Sequence, residues 1–217
     1  MRTHDFTLQD LQAYAEHHTE APSALLTQIH RETYRTVPMP QMLAGHLQGR
    51  LLAIFSHMLR PVKILEIGTY TGYSALCLAE GLQPGGVLYT IDKNQSLEAT
   101  VRRYFAQAGK AHQIQYYIGQ AANIIPTIDE VFDLVFIDAD KKNYRLYYNL
   151  VFDRVRQGGF IIIDNVLWGG NVLSTAHQSV DQRTQRMMDL NAYVHQDERV
   201  ANLLLPIRDG LMVLRKK

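Results

Sequence analysis

Hydrophobic and polar positions change their spacing at Pro61. After this residue, short apolar runs bounded by turn residues alternate with stretches of helical spacing, a pattern typical of repeated βαβ units. The predicted strands span 62–67, 87–91, 114–118, 132–137 and 160–163. Runs without alternation, such as Phe160-Ile-Ile-Ile, indicate central strands that are covered on both faces. The pattern therefore predicts an α/β protein with a parallel sheet.

The chain closes with a different pattern. Two apolar runs, 200–207 and 211–214, flank Arg208-Asp-Gly, and an Asp-Gly pair favours a tight hairpin. An antiparallel C-terminal hairpin added to the five earlier strands predicts a mostly parallel, seven-stranded sheet.

The first 60 residues are predicted to be helical. Thr7 with Asp10 resembles a capping box at the start of a short helix, and Pro22 suits the first turn of a second helix. From Pro40 onwards, apolar residues recur at helical spacing and predict one long amphipathic helix that ends before Pro61. Its apolar positions are Leu43, Leu47, Leu51, Ile54, Phe55 and Met58. We expect a single domain over 1–217, with a helical N-terminal cap (1–60) that covers the core (61–217) or a partner subunit.

Composition excludes several classes of protein. A content of 47% hydrophobic and 20% charged residues over 217 positions is that of an ordinary globular domain. The net charge of +1 creates no overall field that would attract nucleic acid. Cys77 is the single cysteine, so no intramolecular disulfide can form, and its apolar helical surroundings predict a core position. Without a signal-peptide pattern or an apolar run of about 18 residues, we expect a cytoplasmic protein with no membrane partner.

The first candidate site follows the strand 62–67, because ligands of open parallel sheets bind beyond the carboxyl ends of the strands. Gly68 and Gly72 would let a ligand approach the backbone, although an ordinary tight turn also uses such glycines. Their Gly-x-x-x-Gly spacing disfavours a nicotinamide-dependent oxidoreductase, whose pyrophosphate loop is Gly-x-Gly-x-x-Gly. Glu66 ends the buried strand and needs a cationic or hydrogen-bonding partner, such as a ligand ammonium group.

Asp92 ends the second predicted strand. An acid at this position can accept both hydrogen bonds of a ribose diol, or it can cap the next helix. Together with Glu66 and the glycine turn, Asp92 favours the ribose interpretation.

Acidic side chains also follow the fourth and fifth strands. Asp138, Asp140, Asp164 and Asn165 lie there, and carboxylates crowded together repel one another unless a cation neutralises them. Asp138, Asp164 and Asn165 offer hard oxygen ligands that suit Mg²⁺, Mn²⁺ or Ca²⁺ rather than zinc. The alternative is that these acids cap the helices that follow them.

Three stretches resemble one family, the class I S-adenosylmethionine (SAM)-dependent, divalent-metal-dependent O-methyltransferases of the catechol and caffeoyl-CoA type. They are 65–75 (LEIGTYTGYSA), 136–144 (FIDADKKNY) and 163–170 (IDNVLWGG), and the closing 205–211 (LPIRDGL) resembles bacterial members. The resemblance implies a Rossmann-like, doubly wound sheet, SAM and a divalent cation as cofactors, and a homodimer. The implied activity is methyl transfer from SAM to a hydroxyl of a metal-bound catechol-type acceptor.

The resemblance also implies roles for single residues. Glu66 would meet the amino group of SAM, Asp92 its ribose, and Ala121 its adenine. Gly68, Thr69 and Ser74 would line the methionine end, with Ala44 closing over the cofactor and Asp138 and Asp140 nearby. Asp138, Asp164 and Asn165 would bind the metal. Lys141 would be the catalytic base, acting with Asp138 and Asn165, whereas Lys142 would point elsewhere if this segment is helical.

Two departures from the family leave alternatives open. The long helix lacks the usual acidic and hydroxyl residues at 42–49, and 201–205 has no glutamate to grip the acceptor's second hydroxyl. Trp168, Asn171 and His177 are candidates for the border of the acceptor pocket. A tRNA hydroxyuridine methyltransferase on the same scaffold is the second hypothesis. A basic surface near Arg102, Arg103, Lys110, Arg154 and Arg156 would favour it, whereas the nearly neutral net charge argues against it.

Overall fold

A computed structural model describes residues 7–173 and 180–217. Seven strands form its sheet: β1 (Lys63–Ile67), β2 (Val87–Asp92), β3 (Ile114–Ile118), β4 (Phe132–Ile137), β5 (Val155–Asp164), β6 (Val200–Leu205) and β7 (Leu211–Lys216). Their spatial order is β3-β2-β1-β4-β5-β7-β6. β1 to β5 are parallel, and β7 pairs antiparallel with both β5 and β6. The predicted mostly parallel sheet with an antiparallel C-terminal hairpin is confirmed.

Several strand boundaries differ from the prediction, most of all the start of β5. β5 begins at Val155 rather than Phe160, and its pairing register with β4 shifts between Phe132 and Leu134. After the apolar Val155, residues 156–159 are polar or glycine, so hydrophobicity could not reveal this part of the strand. β6 ends at Leu205 because the backbone N–H of Gly210 donates to the carbonyl of Ile207 at 2.9 Å, which closes the turn after the strand.

The helices are α1 (Leu8–His17), α2 (Ala24–Thr36), α3 (Gly45–Leu59), α4 (Tyr73–Leu78), α5 (Glu98–Gln107), α6 (Ala121–Ile124), α7 (Tyr144–Phe152) and α8 (Gln182–His195). The buried residues form two cores. One contains residues of α2 to α5 packed with Ile64, Leu88 and Phe136 of the sheet. The other contains residues of α6 to α8 packed with Leu65 and Ile137. Neighbouring strand residues fall into different cores because side chains alternate between the faces of a sheet. The sheet is therefore doubly wound, as predicted.

For the N-terminal helices, one predicted start is confirmed and two are wrong. Thr7 and Asp10 form the predicted capping box of α1. Pro22 does not enter the first turn of α2, because Ser23 is the N-cap and the helix begins after it. The long helix begins at Gly45 rather than Pro40, since Pro40–Met42 forms a separate 3-10 turn before it.

The buried face of α3 differs from the apolar stripe in its sequence. Gln48, Gly49, Leu52, Ala53 and Ser56 are buried, whereas Ile54 and Met58 are 55% and 75% exposed. Close packing requires small residues here. A Cβ at Gly49 would lie 2.6 Å from the Tyr73 ring and 3.0 Å from the Cys77 sulfur.

Cys77 lies in the core, as predicted. Over the described ranges, no helix combines the length and the apolar character that crossing a membrane requires.

Candidate active site

The strand order runs outwards from β1 to β3 on one side of the sheet and from β4 to β5 on the other. The candidate site lies between these two halves, at the carboxyl ends of β1 and β4. Ile67 pairs with Ile137, so Gly68 and Asp138 emerge side by side. A topological switch point of this kind opens a crevice for a ligand. The cavity here is lined by Met42, Leu43, Ala44, Gly68, Thr69, Tyr70, Thr71, Tyr73, Ser74 and Asp138. Five residues predicted to contact SAM are thus brought together.

Glu66 lies completely buried beneath this cavity. Thr90 donates a hydrogen bond to its Oε2, whereas Oε1 has no hydrogen-bond partner among the described residues. Burial raises the pKa of Glu66 to about 8, against the lowering effect of the Ser74 and Thr90 hydroxyls. An unpartnered buried carboxylate oxygen is costly, so Glu66 fits a cationic ligand group such as an ammonium.

Asp92 is held at the end of β2 by two backbone groups. Its Oδ2 accepts from the N–H of Tyr70 at 2.7 Å, and its Oδ1 accepts from the N–H of Asn94 at 2.8 Å. Each oxygen keeps a lone pair for a further donor. Gly119, two residues before the buried Ala121, donates its N–H to the carbonyl of Asp92 at 2.8 Å. Asp92 and the start of α6 therefore lie together, as a nucleoside would require.

Asp138 and Lys141 form an ion pair, with Nζ of the lysine 3.0 Å from Oδ1 of the carboxylate. Both side chains are partly buried, at 31% exposure for Lys141 and 18% for Asp138. The lysine amine also lies 5.4 Å from the centre of the Tyr144 ring. Lys142 is exposed, in agreement with its predicted different direction.

Asp164 and Asn165 complete the acidic end of the site. Asp164 is buried, and its Oδ1 accepts the backbone N–H of Asn165 at 2.6 Å. Burial, followed by the negative charge of Asp138, raises the pKa of Asp164. Asn165 has a left-handed backbone (φ 60°), which asparagine tolerates, and its buried Oδ1 has no partner within the described parts of the chain. Because Ile137 pairs with Ile163, Asp138 and Asp164 follow neighbouring strands, and the unpartnered amide oxygen of Asn165 comes directly after Asp164.

Asp140 is held by local contacts. Its Oδ1 accepts from the Tyr147 hydroxyl at 2.6 Å, and its Oδ2 accepts from the Asn143 side chain at 2.5 Å. Asp140 is not among the residues that line the cavity at Gly68. Its contact with the cofactor stays a prediction.

Two residues near the acids escaped sequence reasoning. Gln48 on α3 donates a hydrogen bond to Asp164, and Tyr144 at the start of α7 is buried. Burial and the charges of Asp138 and Asp164 raise the pKa of Tyr144. The FIDADKKNY stretch contains Tyr144 and could have drawn attention to it, whereas no local pattern marks Gln48.

The loop after Asn165 is hydrogen-bonded to the C-terminal hairpin. Gly169 donates its backbone N–H to Asp209, and Asn171 donates its side-chain amide to the carbonyl of Trp168 at 2.8 Å. Trp168 is partly buried against the core beside α6 to α8. His177, the third residue proposed for the acceptor pocket, lies outside the described residues.

The sheet topology, the cavity at Gly68 and the neighbouring acids agree with a methyltransferase. The family model for O-methyltransferases matches residues 15–217. Caffeoyl-CoA O-methyltransferase 1 of Arabidopsis thaliana is 30% identical over 199 residues, which cover 86% of this chain and 76% of that protein. The chain therefore belongs to the O-methyltransferase family. The predicted enzyme class, a SAM-dependent O-methyltransferase, is confirmed.

Solved structures agree with this assignment. The SAH-bound methyltransferase PaMTH1 of Podospora anserina superposes with a TM-score of 0.88 at 28% identity, covering 100% of this chain and 98% of that one. The O-methyltransferase of Bacillus cereus in complex with SAH has a TM-score of 0.86 at 26% identity, with coverages of 95% and 97%. The predicted Rossmann-like fold is confirmed.

Proposed function

We propose that this enzyme transfers the methyl group of SAM to a hydroxyl of a catechol-type small molecule that is held by a divalent cation. The observation that carries the proposal is the juxtaposition of Asp138, Asp164 and the unpartnered Oδ1 of Asn165 with the amine of Lys141.

The donor atoms fit a hard cation. In the described ranges, no cluster of three or more His, Cys, Asp or Glu residues could bind a metal, and the proposed site takes the Asn165 amide as its third protein ligand. Two carboxylates and one amide suit Mg²⁺ first, with Mn²⁺ or Ca²⁺ as alternatives. When bound, such a cation lowers the free energy of the ionised acceptor hydroxyl and orients it.

Lys141 is proposed as the base that receives the proton of this hydroxyl. Its amine lies 3.0 Å from Asp138, which supports a role for Lys141 beside the proposed cation. The acceptor oxygen forms a bond to the methyl carbon while the carbon–sulfur bond of SAM breaks, which leaves SAH. Glu66 would bind the ammonium group of SAM, Asp92 its ribose, Ala121 its adenine, and Ala44 with Gly68 would close around the methionine end.

A methyl-transfer assay over catechol, caffeoyl-CoA, a flavonoid and tRNA, each with and without EDTA, tests the proposal. We expect transfer to at least one catechol-type compound, abolished by EDTA and restored by Mg²⁺. Asp164→Ala, Asp138→Ala and Asn165→Ala should each lose this activity, and Asp164→Ala should retain SAH binding within about threefold because the cofactor has its own pocket. EDTA-resistant methylation, or normal turnover by Asp164→Ala, would overturn the metal assignment.

The tRNA hypothesis gains no support from the charged surface. Arg102 and Arg103 pair with Glu98 and Glu32 at 2.8 and 3.2 Å, and Arg156 pairs with Asp133 at 2.6 Å. Arg154 donates to the backbone carbonyl of Pro126 at 3.2 Å. These internal contacts reduce the positive potential that phosphate binding requires.

We also propose that two copies of this single-domain chain form a homodimer and that the enzyme is cytoplasmic. The apolar residues Ile54 and Met58 of α3 support the dimer, because both would be exposed to solvent in a monomer. The single, buried cysteine supports a reducing compartment.

A further inference from the structure

Gln48 and Asp164 form a buried contact between the helical cap and the candidate cation site. Gln48 is 1% exposed and Asp164 is 3% exposed. Nε2 of the glutamine donates to Oδ2 of the aspartate at 2.6 Å, across 116 positions of sequence. Ala44, which lines the cofactor cavity, lies one helical turn before Gln48. The N-cap and first turn of α3 thus contact both halves of the site.

The two oxygens of Asp164 have different hydrogen-bond partners. Oδ2 accepts from Gln48, and Oδ1 accepts from the backbone of Asn165 at 2.6 Å. A carboxylate oxygen has two lone pairs, so each oxygen of Asp164 retains one. Two donors on opposite oxygens also restrict rotation of the carboxylate, and they leave its remaining lone pairs in defined directions.

The chemical type of the donor is informative. A lysine or arginine at position 48 would neutralise Asp164 and compete with a cation for it. The neutral amide of Gln48 donates one hydrogen bond and leaves the negative charge of the carboxylate available. Ser56, a second buried polar residue on the same helix, instead donates to the backbone carbonyl of Leu78 at 2.5 Å. Gln48 is therefore directed at a candidate ligand, whereas Ser56 joins α3 to α4.

We propose that Gln48 is a positioning residue, which orients Asp164 for binding of the divalent cation. The inference rests on the proposed function, because it takes Asp164 to be a ligand. Residues that hydrogen-bond to metal ligands orient them, and their loss costs about 10- to 100-fold in metal affinity or activity. Gln48 acts through Asp164, so its removal weakens cation binding more than cofactor binding.

The test compares Gln48→Met with Ser56→Ala. Gln48→Met retains the length of the side chain and removes the donor, and Ser56→Ala removes a buried hydrogen bond elsewhere on α3. Binding of Mn²⁺ is measured by electron paramagnetic resonance, binding of SAH by calorimetry, and folding by thermal unfolding without metal. Gln48→Asn, whose amide is one methylene too short to reach Asp164, serves as the second variant if Gln48→Met does not fold.

We expect Gln48→Met to bind Mn²⁺ about 10- to 100-fold more weakly than the wild type. SAH affinity should change by less than about threefold, and Ser56→Ala should bind Mn²⁺ as the wild type does. Excess Mn²⁺ should restore kcat in Gln48→Met. Equal losses of SAH and Mn²⁺ binding would indicate that Gln48 only stabilises α3, which overturns the inference.

A parallel Asp164→Ala measurement separates the two proposals. If Asp164→Ala loses Mn²⁺ binding while Gln48→Met retains wild-type affinity, the positioning role is wrong and the cation site stands. If Asp164→Ala binds Mn²⁺ normally, the cation site itself is wrong, and the role of Gln48 is wrong with it.

Discussion

Gly68 and Asp138 follow neighbouring strands so closely that a Cβ on Gly68 would lie 1.8 Å from the carbonyl oxygen of Asp138. Gly68 also has a φ of +105°, which side-chain-bearing residues rarely adopt. Glycine is therefore required at this position for two independent reasons. The approach brings the cofactor cavity and the first candidate metal ligand into one site.

Gly68→Ala should destabilise the protein and abolish SAH binding, because the backbones of the two strand ends must separate. Gly85→Ala is the matched control. Gly85 also has a positive φ (+76°), but an added Cβ would meet nothing within 4 Å. Gly85→Ala should lower the free energy of unfolding only by the cost of a side chain at positive φ, about 1 to 3 kcal/mol. It should retain SAH binding. Similar melting temperatures for the two variants would contradict the steric argument.

Lys141→Ala should lower kcat about 10²- to 10⁴-fold with little change in KM, because general-base catalysis acts in the transition state. Lys141→Arg should be nearly as inactive, since arginine retains the charge but cannot accept a proton. Raising the pH should partly restore Lys141→Ala. The exposed Lys142 provides the control, and Lys142→Ala should have wild-type rates. An active Lys141→Arg enzyme would show that the lysine supplies only positive charge.

Glu66 should make the stability of the ligand-free enzyme depend on pH. Burial raises the pKa of Glu66 to about 8 from the 4.5 of the model compound, so the folded state binds this proton more tightly than the unfolded state. The resulting contribution to stability is full below about pH 4.5, and it is lost as the pH rises through 8. Glu66→Gln, which cannot ionise, should show a smaller loss of melting temperature between pH 5 and pH 9.

Binding of the cofactor should also depend on pH through the ionisation of Glu66. If the ammonium group of SAH meets ionised Glu66, binding near pH 7 releases a proton, and SAH affinity rises with pH up to about 8. Calorimetry in buffers of different ionisation enthalpy measures this release. Glu66→Gln should bind weakly and release no proton from this position. Unchanged proton release in Glu66→Gln would assign the titration to another group.

The exposed apolar side of α3 should be the dimer contact. Ile54→Lys should convert a homodimer into monomers, as measured by light scattering at micromolar concentration, because a charge at the centre of an apolar contact is not solvated. Leu146→Lys on α7 is the control, since Leu146 is an exposed apolar residue (45%) on the opposite face of the sheet. A monomeric wild type, or dissociation by Leu146→Lys, would refute this assignment.

Much of the fold was predictable because its signals are local. The five parallel strands and the final hairpin were recognised from apolar runs and turn residues. The start of β5 is not predicted because the residues between Val155 and Phe160 are polar or glycine and interrupt the apolar run. The packed face of α3 is not predicted either, since the helix approaches α4 at Gly49, and the apolar Ile54 and Met58 are exposed.

Some residues of the candidate site could be identified from the sequence, and others could not. Glu66, Asp92, Asp138 and Asp164 could be selected because each stands at or just after the end of a strand. Gln48 could not be selected, because its partner lies 116 positions away along the chain. The oxygens of Asp140 accept hydrogen bonds from Tyr147 and Asn143, and the cofactor contact that the family resemblance implies for Asp140 stays a prediction.

By itself, the sequence determined the order of the strands and helices, the family motifs and the residues at the strand ends. These features could be recognised because hydrophobic periodicity, turn residues and motif spacing depend on a few neighbouring positions. Only the tertiary structure decided that β1 lies beside β4, that Gly68 contacts Asp138, and that Gln48 reaches Asp164. These contacts depend on how distant segments pack, and packing is set by the shapes and volumes of side chains from the whole chain.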